Sequence, residues 1–299
     1  MNRNALLPTL LAALVLTACN NEDNPVQEAP VALQVTSGIQ TRAVDNSWNK
    51  GDAIGIYAFE TGTTNVADGY ANVRYTTSTD GANGTFTPAG TTIYLPTDNT
   101  TRDFVAYYPQ TPLTDETYAV NVTNQGDQSA IDLMSADTKK ASRFSPTVAF
   151  KFTHKLSKVE VTLQAGDGLT ASDLAGLEVE LTGQQTTAEF DVTQPASAVS
   201  VTTGTPTTIS LLTAANGQSA EAIVLPSADY NGMSLVITLA DGNSVFTWAL
   251  ANSVNATKFE EGKKYLYNIT LNKTEIIVTA TISNWEPGNG TTGETGSAY

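Results

Sequence analysis

Val31-Ala32-Leu33-Gln34-Val35-Thr36 places branched aliphatic side chains at every second position, Val31, Leu33 and Val35, with Ala32, Gln34 and Thr36 between them. A strand sends successive side chains to opposite faces, so a period of two predicts one buried face and one wetter face. The pattern recurs outward along the chain. It appears in Ala53 to Phe59, Thr92 to Leu95, Phe104 to Tyr108 and Val148 to Phe152, then in Val159-Val161-Leu163, Leu177-Val179-Leu181 and Ala222 to Leu225. Leu235-Ile237-Leu239, Val245 to Leu250, Tyr265 to Leu271 and Ile276 to Ile282 complete the series. Thr and Val are abundant, and Gly, Asn, Asp and Pro interrupt the pattern about every ten residues, which predicts an all-β sandwich. Gly81-Ala82-Asn83-Gly84 reads as a hairpin loop. The best helical candidate is one turn, Ser172 to Ala175, with Thr170 or Ser172 able to cap it.

The N-terminus follows different rules. Arg3 supplies a positive start and Ala5 to Leu16 an apolar stretch broken by Pro8 and Thr9. That stretch is too short for a bilayer core of about 30 Å and reads as a signal peptide over residues 1–18. Leu16-Thr17-Ala18-Cys19 then places small residues before the single cysteine of the 299-residue chain. A thiol at that point can be alkylated by a diacylglycerol donor, so Cys19 is the expected lipidation site, and the outer membrane the expected anchor. The alternative is an ordinary secretory signal with an incidental cysteine. With one cysteine no intrachain disulfide can form, and stability rests on core burial.

Residues 19–30 read as an acidic linker with two prolines. Glu22-Asp23 within it is similar to the surface-export signals of outer-membrane lipoproteins, and a plain solvated tether is the alternative. The formal net charge is −15. Such an acidic surface argues against nucleic acid as a partner and against electrostatic adhesion to anionic lipid. It fits an extracytoplasmic protein kept soluble by its own repulsion.

Catalytic chemistry finds little support. One histidine, His154, rules out a multi-histidine metal centre, and no Gly-x-Ser-x-Gly turn presents a serine to it. A strand histidine bonded to backbone is the expected role. Asp127, Asp132 and Asp137 could in principle supply a carboxylate pair for hydrolysis, against the plainer reading as solvated loop acids. No calcium loop or phosphate-binding loop occurs, so no metal and no cofactor is expected. Trp48, Trp248 and Trp285 lie in or beside apolar strand patterns, where core packing is the expected use over sugar stacking.

Several segments in order are similar to the fimbrillin family, the subunits of type V pili and their Mfa-like relatives. They are Thr41-Arg42-Ala43 ahead of Trp48-Asn49-Lys50-Gly51-Asp52-Ala53-Ile54-Gly55-Ile56-Tyr57, then Phe104-Val105-Ala106-Tyr107-Tyr108-Pro109 and Ile131-Asp132-Leu133-Met134-Ser135-Ala136. Phe150-Lys151-Phe152-Thr153-His154-Lys155-Leu156-Ser157-Lys158-Val159, Phe259 to Leu271, and Ile282-Ser283-Asn284-Trp285 follow. The resemblance implies two transthyretin-like β-sandwich domains in tandem and no enzymatic activity. It also implies export as a lipoprotein, cleavage after an arginine by an arginine-specific protease, and polymerisation with other fimbrial subunits, of the same or a different kind. In that scheme loss of the N-terminal strand opens a groove that another subunit's strand fills. Arg42 and Ala43 then mark the processing site, and Val31, Leu33 and Val35 the strand that plugs the groove.

The expected division is a first sandwich over 31–144, with 31–42 removable, a second over 145–286, and a flexible tail over 287–299. That tail lacks apolar alternation, so the candidate donor strand is Ile276, Val278, Ala280 and Ile282, which could equally be the last core strand. The chain is read as a structural subunit of a cell-surface fimbria that supports adhesion. The alternatives are a surface lipoprotein adhesin that binds host glycan or protein and never polymerises, and a carboxylate hydrolase.

Overall fold

The computed structural model describes residues 29–39, 47–273, 275–284 and 294–298. The chain is all-β, as its periodicity predicts. The first ten strands are β1 (Val31–Ala32), β2 (Gln34–Ile39), β3 (Ala53–Glu60), β4 (Val73–Thr77), β5 (Asn83–Pro88), β6 (Tyr94–Leu95), β7 (Arg102–Tyr108), β8 (Thr117–Asn121), β9 (Met134–Ala141) and β10 (Thr147–His154). Seven of them close into a barrel in the order β10-β2-β5-β4-β3-β7-β9, while β1 pairs with β6 at its rim. Closure depends on β2, which runs parallel to β10 on one side and antiparallel to β5 on the other. Without it the two flanking strands would present unpaired ladder groups.

The second group comprises β11 (Ser157–Ala165), β12 (Glu178–Gln184), β13 (Thr187–Asp191), β14 (Ser200–Val201), β15 (Thr207–Ser210), β16 (Leu212–Thr213) and β17 (Ser219–Val224). It continues through β18 (Ser234–Thr238), β19 (Val245–Ala249), β20 (Lys263–Asn272), β21 (Glu275–Asn284) and β22 (Glu294–Ala298). A six-stranded sheet, β16-β17-β11-β20-β21-β22, faces a four-stranded sheet, β15-β12-β18-β19, across a shared apolar core. β11 repeats the arrangement of β2. It is the first strand of its unit, antiparallel to β17 and parallel to β20.

The sheets differ from the expected division at 144/145. β10 hydrogen-bonds to β2 and β9 and belongs to the barrel, so the first unit runs to His154. The polar Ser142–Pro146 segment, in which that division falls, is a hairpin tip, with Ser142 and Ser145 exchanging backbone hydrogen bonds at 2.9 and 3.2 Å. β8 in turn leaves the barrel and pairs with β13, in a three-stranded sheet with β14. Of the tail read as flexible, Glu294–Ala298 forms β22 on the edge of β21. The predicted helical turn is a 3-10 turn over Ala171–Leu174, where the Asp173 carboxylate accepts the Thr170 N–H at 2.7 Å. The predicted hairpin loop is shorter than its Gly-Ala-Asn-Gly sequence, because Asn83 and Gly84 already belong to β5.

β3 and β7 serve two cores at once. Ile54, Ile56 and Ala58 with Phe104, Ala106 and Tyr108 fill the barrel. Tyr57 and Phe59 with Val105 and Tyr107 face the other way, into the core that includes Tyr118, Phe190 and the second unit's strands. Burial on both faces explains why Ala53–Glu60 and Arg102–Tyr108 carry apolar side chains almost continuously.

Candidate strand-exchange groove

Of the plug candidates, Val35 lies on β2 in the slot between β5 and β10, while Leu33 just before it and Val31 on β1 line the adjoining rim beside Ile93 and β6. Leu33 and Val35 are 4 % and 2 % exposed and belong to the barrel core, and Val31 packs against that core from the rim. Leu33 donates its N–H to the Ile93 carbonyl at 2.9 Å, and Gln34 donates to the Pro146 carbonyl at the same distance. The outward residues take polar partners, as alternation requires. Thr147 Oγ1 donates to Gln34 Oε1 at 2.9 Å. The third inward position is Ser37, also buried, facing Gly84 on β5 and Phe150 on β10.

The floor of the slot is aromatic. Trp48 is 1 % exposed and meets Phe86, Tyr108 and Phe152 edge-on, with centroid separations of 5.1, 5.4 and 5.2 Å. It is a core residue, in line with its strand context. Gly84 makes this packing possible, since a Cβ there would lie 2.6 Å from the Phe86 ring and 3.1 Å from Trp48. Where β2 ends, a cavity of about 340 Å³ is lined by Ile39, Trp48, Asp52, Tyr108, Asp132 and Lys158 among others. Burial raises the Asp52 carboxyl above its ordinary pKa, opposed by hydrogen bonds from the Asn49 N–H and the Tyr108 hydroxyl.

His154 differs from expectation. It is buried at the end of β10, and its Nδ1 lies 2.8 Å from the Asp132 carboxylate rather than being held by backbone alone. Asp132 is thereby committed to the histidine, while Asp127 accepts from Ser129 Oγ at 2.6 Å, a bond that lowers its pKa. Asp137 is exposed on β9. The candidate hydrolytic acids thus have separate local partners or lie in solvent.

Sequence reasoning missed the buried lysines of the junction. Lys155 pairs with Glu261, donates to the Pro195 carbonyl at 3.2 Å and lies over the Phe190 ring. Lys158 reaches Glu221 at 2.9 Å, and Lys264 reaches Glu160 at 2.7 Å. The Ser157 hydroxyl donates to the Glu260 carbonyl at 2.7 Å. Residues 155–160 and 260–264, about a hundred positions apart in sequence, thus knit one polar seam that Glu221 of β17 joins, and charge at buried positions demands that pairing. Their charged residues were the available signal, but nothing in spacing pairs them.

The candidate donor residues lie on β21. Ile276, Val278 and Ala280 are 3, 2 and 8 % exposed, and Ile282 packs against the same core. β21 pairs with β20 over ten positions and with β22 over five, so it is an integral strand of its own sheet. Trp248 is likewise a core residue, edge-on to Tyr267 at 5.3 Å. Cys19, Arg42, Ala43 and Trp285 lie outside the described residues.

The fimbrillin-like family model matches residues 41–285, and the chain belongs to that family. A candidate fimbrium subunit, Fim1C, of Bacteroides uniformis is 43 % identical over an alignment covering 100 % of both chains. The crystal structure of a candidate cell adhesion protein from the same organism is 42 % identical, with a TM-score of 0.79 over 87 % of this chain and 99 % of that one. A counterpart from Bacteroides ovatus shares the fold at 23 % identity, with a TM-score of 0.69 over 86 % of this chain and 98 % of its own.

Proposed function

We propose that the chain is a structural subunit of a cell-surface fimbria, exported as a lipoprotein on Cys19, cleaved after Arg42 and assembled by β-strand exchange. The observation that carries this reading is the position of β2. It is the N-terminal strand of the barrel, its inward side chains are buried, and its removal would leave one apolar slot and two unpaired ladders. An added strand satisfies both needs at once, with main-chain hydrogen bonds for affinity and alternate side-chain sites for selectivity. Arg42 lies three residues beyond the end of β2 at Ile39, so cleavage there would free lipid and plug together. Family membership supports other fimbrial subunits as partners and the cell surface as location.

β21 is the donor candidate within the chain, and its ten-position pairing with β20 favours an accepting role. Donating β21 would open the second sheet. A subunit that receives a strand while keeping its own is the arrangement this topology supports best. Arg42→Ala should preserve export and lipidation and abolish SDS-resistant ladders after treatment with an arginine-specific protease. Normal ladders from that variant would reject Arg42 as the processing site. A wild-type chain that is cleaved yet stays monomeric would favour the non-polymerising adhesin.

A further inference from the structure

β2 is an imperfect occupant of its slot. Leu33, just before β2, and Val35 and Ser37 within it point inward, and the last carries a hydroxyl that the apolar barrel does not satisfy. Ser37 Oγ is buried without a hydrogen-bond partner among the described residues. The position accepts only a small side chain. It is registered against Gly84, where Phe86 and Trp48 fill the space of a Cβ, and against Phe150 on the other flank. Alanine meets that limit without burying an orphaned oxygen.

The next residue, Gly38, is also a weak choice. Glycine in a strand interior loses backbone entropy and contributes no packing, whereas a β-branched residue suits the pleat. Nothing at the site requires glycine. Its backbone is not in the left-handed region, and the nearest obstacle to a Cβ is the terminal Oδ1 of the exposed Asn83 side chain, at 3.0 Å.

β21 shows what a better occupant looks like. Ile276, Val278 and Ala280 are buried in the same alternation as Leu33, Val35 and Ser37. Thr279 is half-buried like Thr36, and Ile282 closes the segment as Ile39 closes β2. The two differences that matter are Ala280 in place of Ser37 and Thr281 in place of Gly38.

We propose that Ser37 and Gly38 weaken the resident plug, and that the groove prefers an incoming subunit strand reading aliphatic-x-aliphatic-x-Ala-β-branched, run parallel to β10. The inference rests on the strand-exchange reading above. It adds a direction to that exchange, because the incoming strand fits better than the one it replaces.

Two measurements test it. The uncleaved full chain carrying Ser37→Ala should melt about 2–8 °C higher than wild type, and its protease-triggered ladder should form roughly tenfold more slowly. A melting temperature unchanged or lowered would overturn the claim of an imperfect plug. In the second, the protease-processed chain is titrated with a synthetic peptide of the Glu275–Asn284 sequence and with the same peptide carrying Ala280→Ser and Thr281→Gly. The unsubstituted peptide should bind at least about tenfold tighter. Equal or reversed affinities would overturn the groove preference. If neither peptide binds while Ser37→Ala still raises the melting temperature, the strand-exchange reading itself is overturned, and the preference for an incoming strand falls with it.

Discussion

Trp48 joins three strands of the barrel at a single point, touching rings on β5, β7 and β10. Truncation to alanine leaves a cavity that three rings cannot collapse to fill. Trp48→Ala should lower stability by about 3–5 kcal/mol, read from the denaturant midpoint. Tyr107, Tyr118 and Tyr265 carry a pH prediction. Burial, the largest cause in each, pushes their hydroxyls up to about 12 from an ordinary value of 10. The unfolded chain therefore releases these protons first as pH rises. Their contribution is fully present below pH 10 and is lost as pH climbs from 10 to about 12. Melting temperatures followed across that window should fall, and a flat profile would contradict it. Not every residue was legible at this scale. Trp48 and Trp248 announced themselves by apolar surroundings. The partner of His154, however, lies 22 positions away, and only pairing of β10 with β9 beside Leu133 brings Asp132 to it.

β2 is the element on which the barrel depends. Leu33→Asp would place a carboxylate in an aliphatic slot, where an unpaired charge costs several kcal/mol. The same change at exposed Gln34 should have little effect, so the pair separates burial from charge. Thermal melts of both variants decide the point; an equal response would mean that Leu33 does not face the core. Strands with one buried face, such as β2 and β10, were readable from alternation alone. The one-face expectation failed for β3 and β7, because packing against two cores buries both of their faces. The boundary near Ser142–Pro146 was misplaced because polar residues and proline mark a hairpin tip as readily as a linker. Polarity likewise concealed β22. A Gly- and Thr-rich segment has no face to bury, and its placement follows from the exposed edge of β21.

Across the whole molecule, the two units are not independent beads. β8 comes from the first half of the chain and pairs over five residues with β13 of the second. Gln125 is buried and clasps β17, accepting from the Ile223 N–H at 2.8 Å and donating to its carbonyl at 2.9 Å. With the apolar core shared across this seam, calorimetry should show one cooperative transition, with calorimetric and van't Hoff enthalpies in agreement. Two resolved transitions would mean that β8 and Gln125 do not couple the units. None of this cross-chain clasping was visible in sequence, since nothing in Thr117–Asn121 names β13 as its partner.

In the proposed assembly scheme β2 is a temporary strand, present in the secreted subunit and absent from the assembled one. The intact mass and N-terminal residue of the subunit recovered from purified fimbriae test it most directly. A chain beginning at Ala43, without Val31–Ile39, is the expected result. Recovery of fimbrial subunits that still carry Leu33 and Val35 would contradict it.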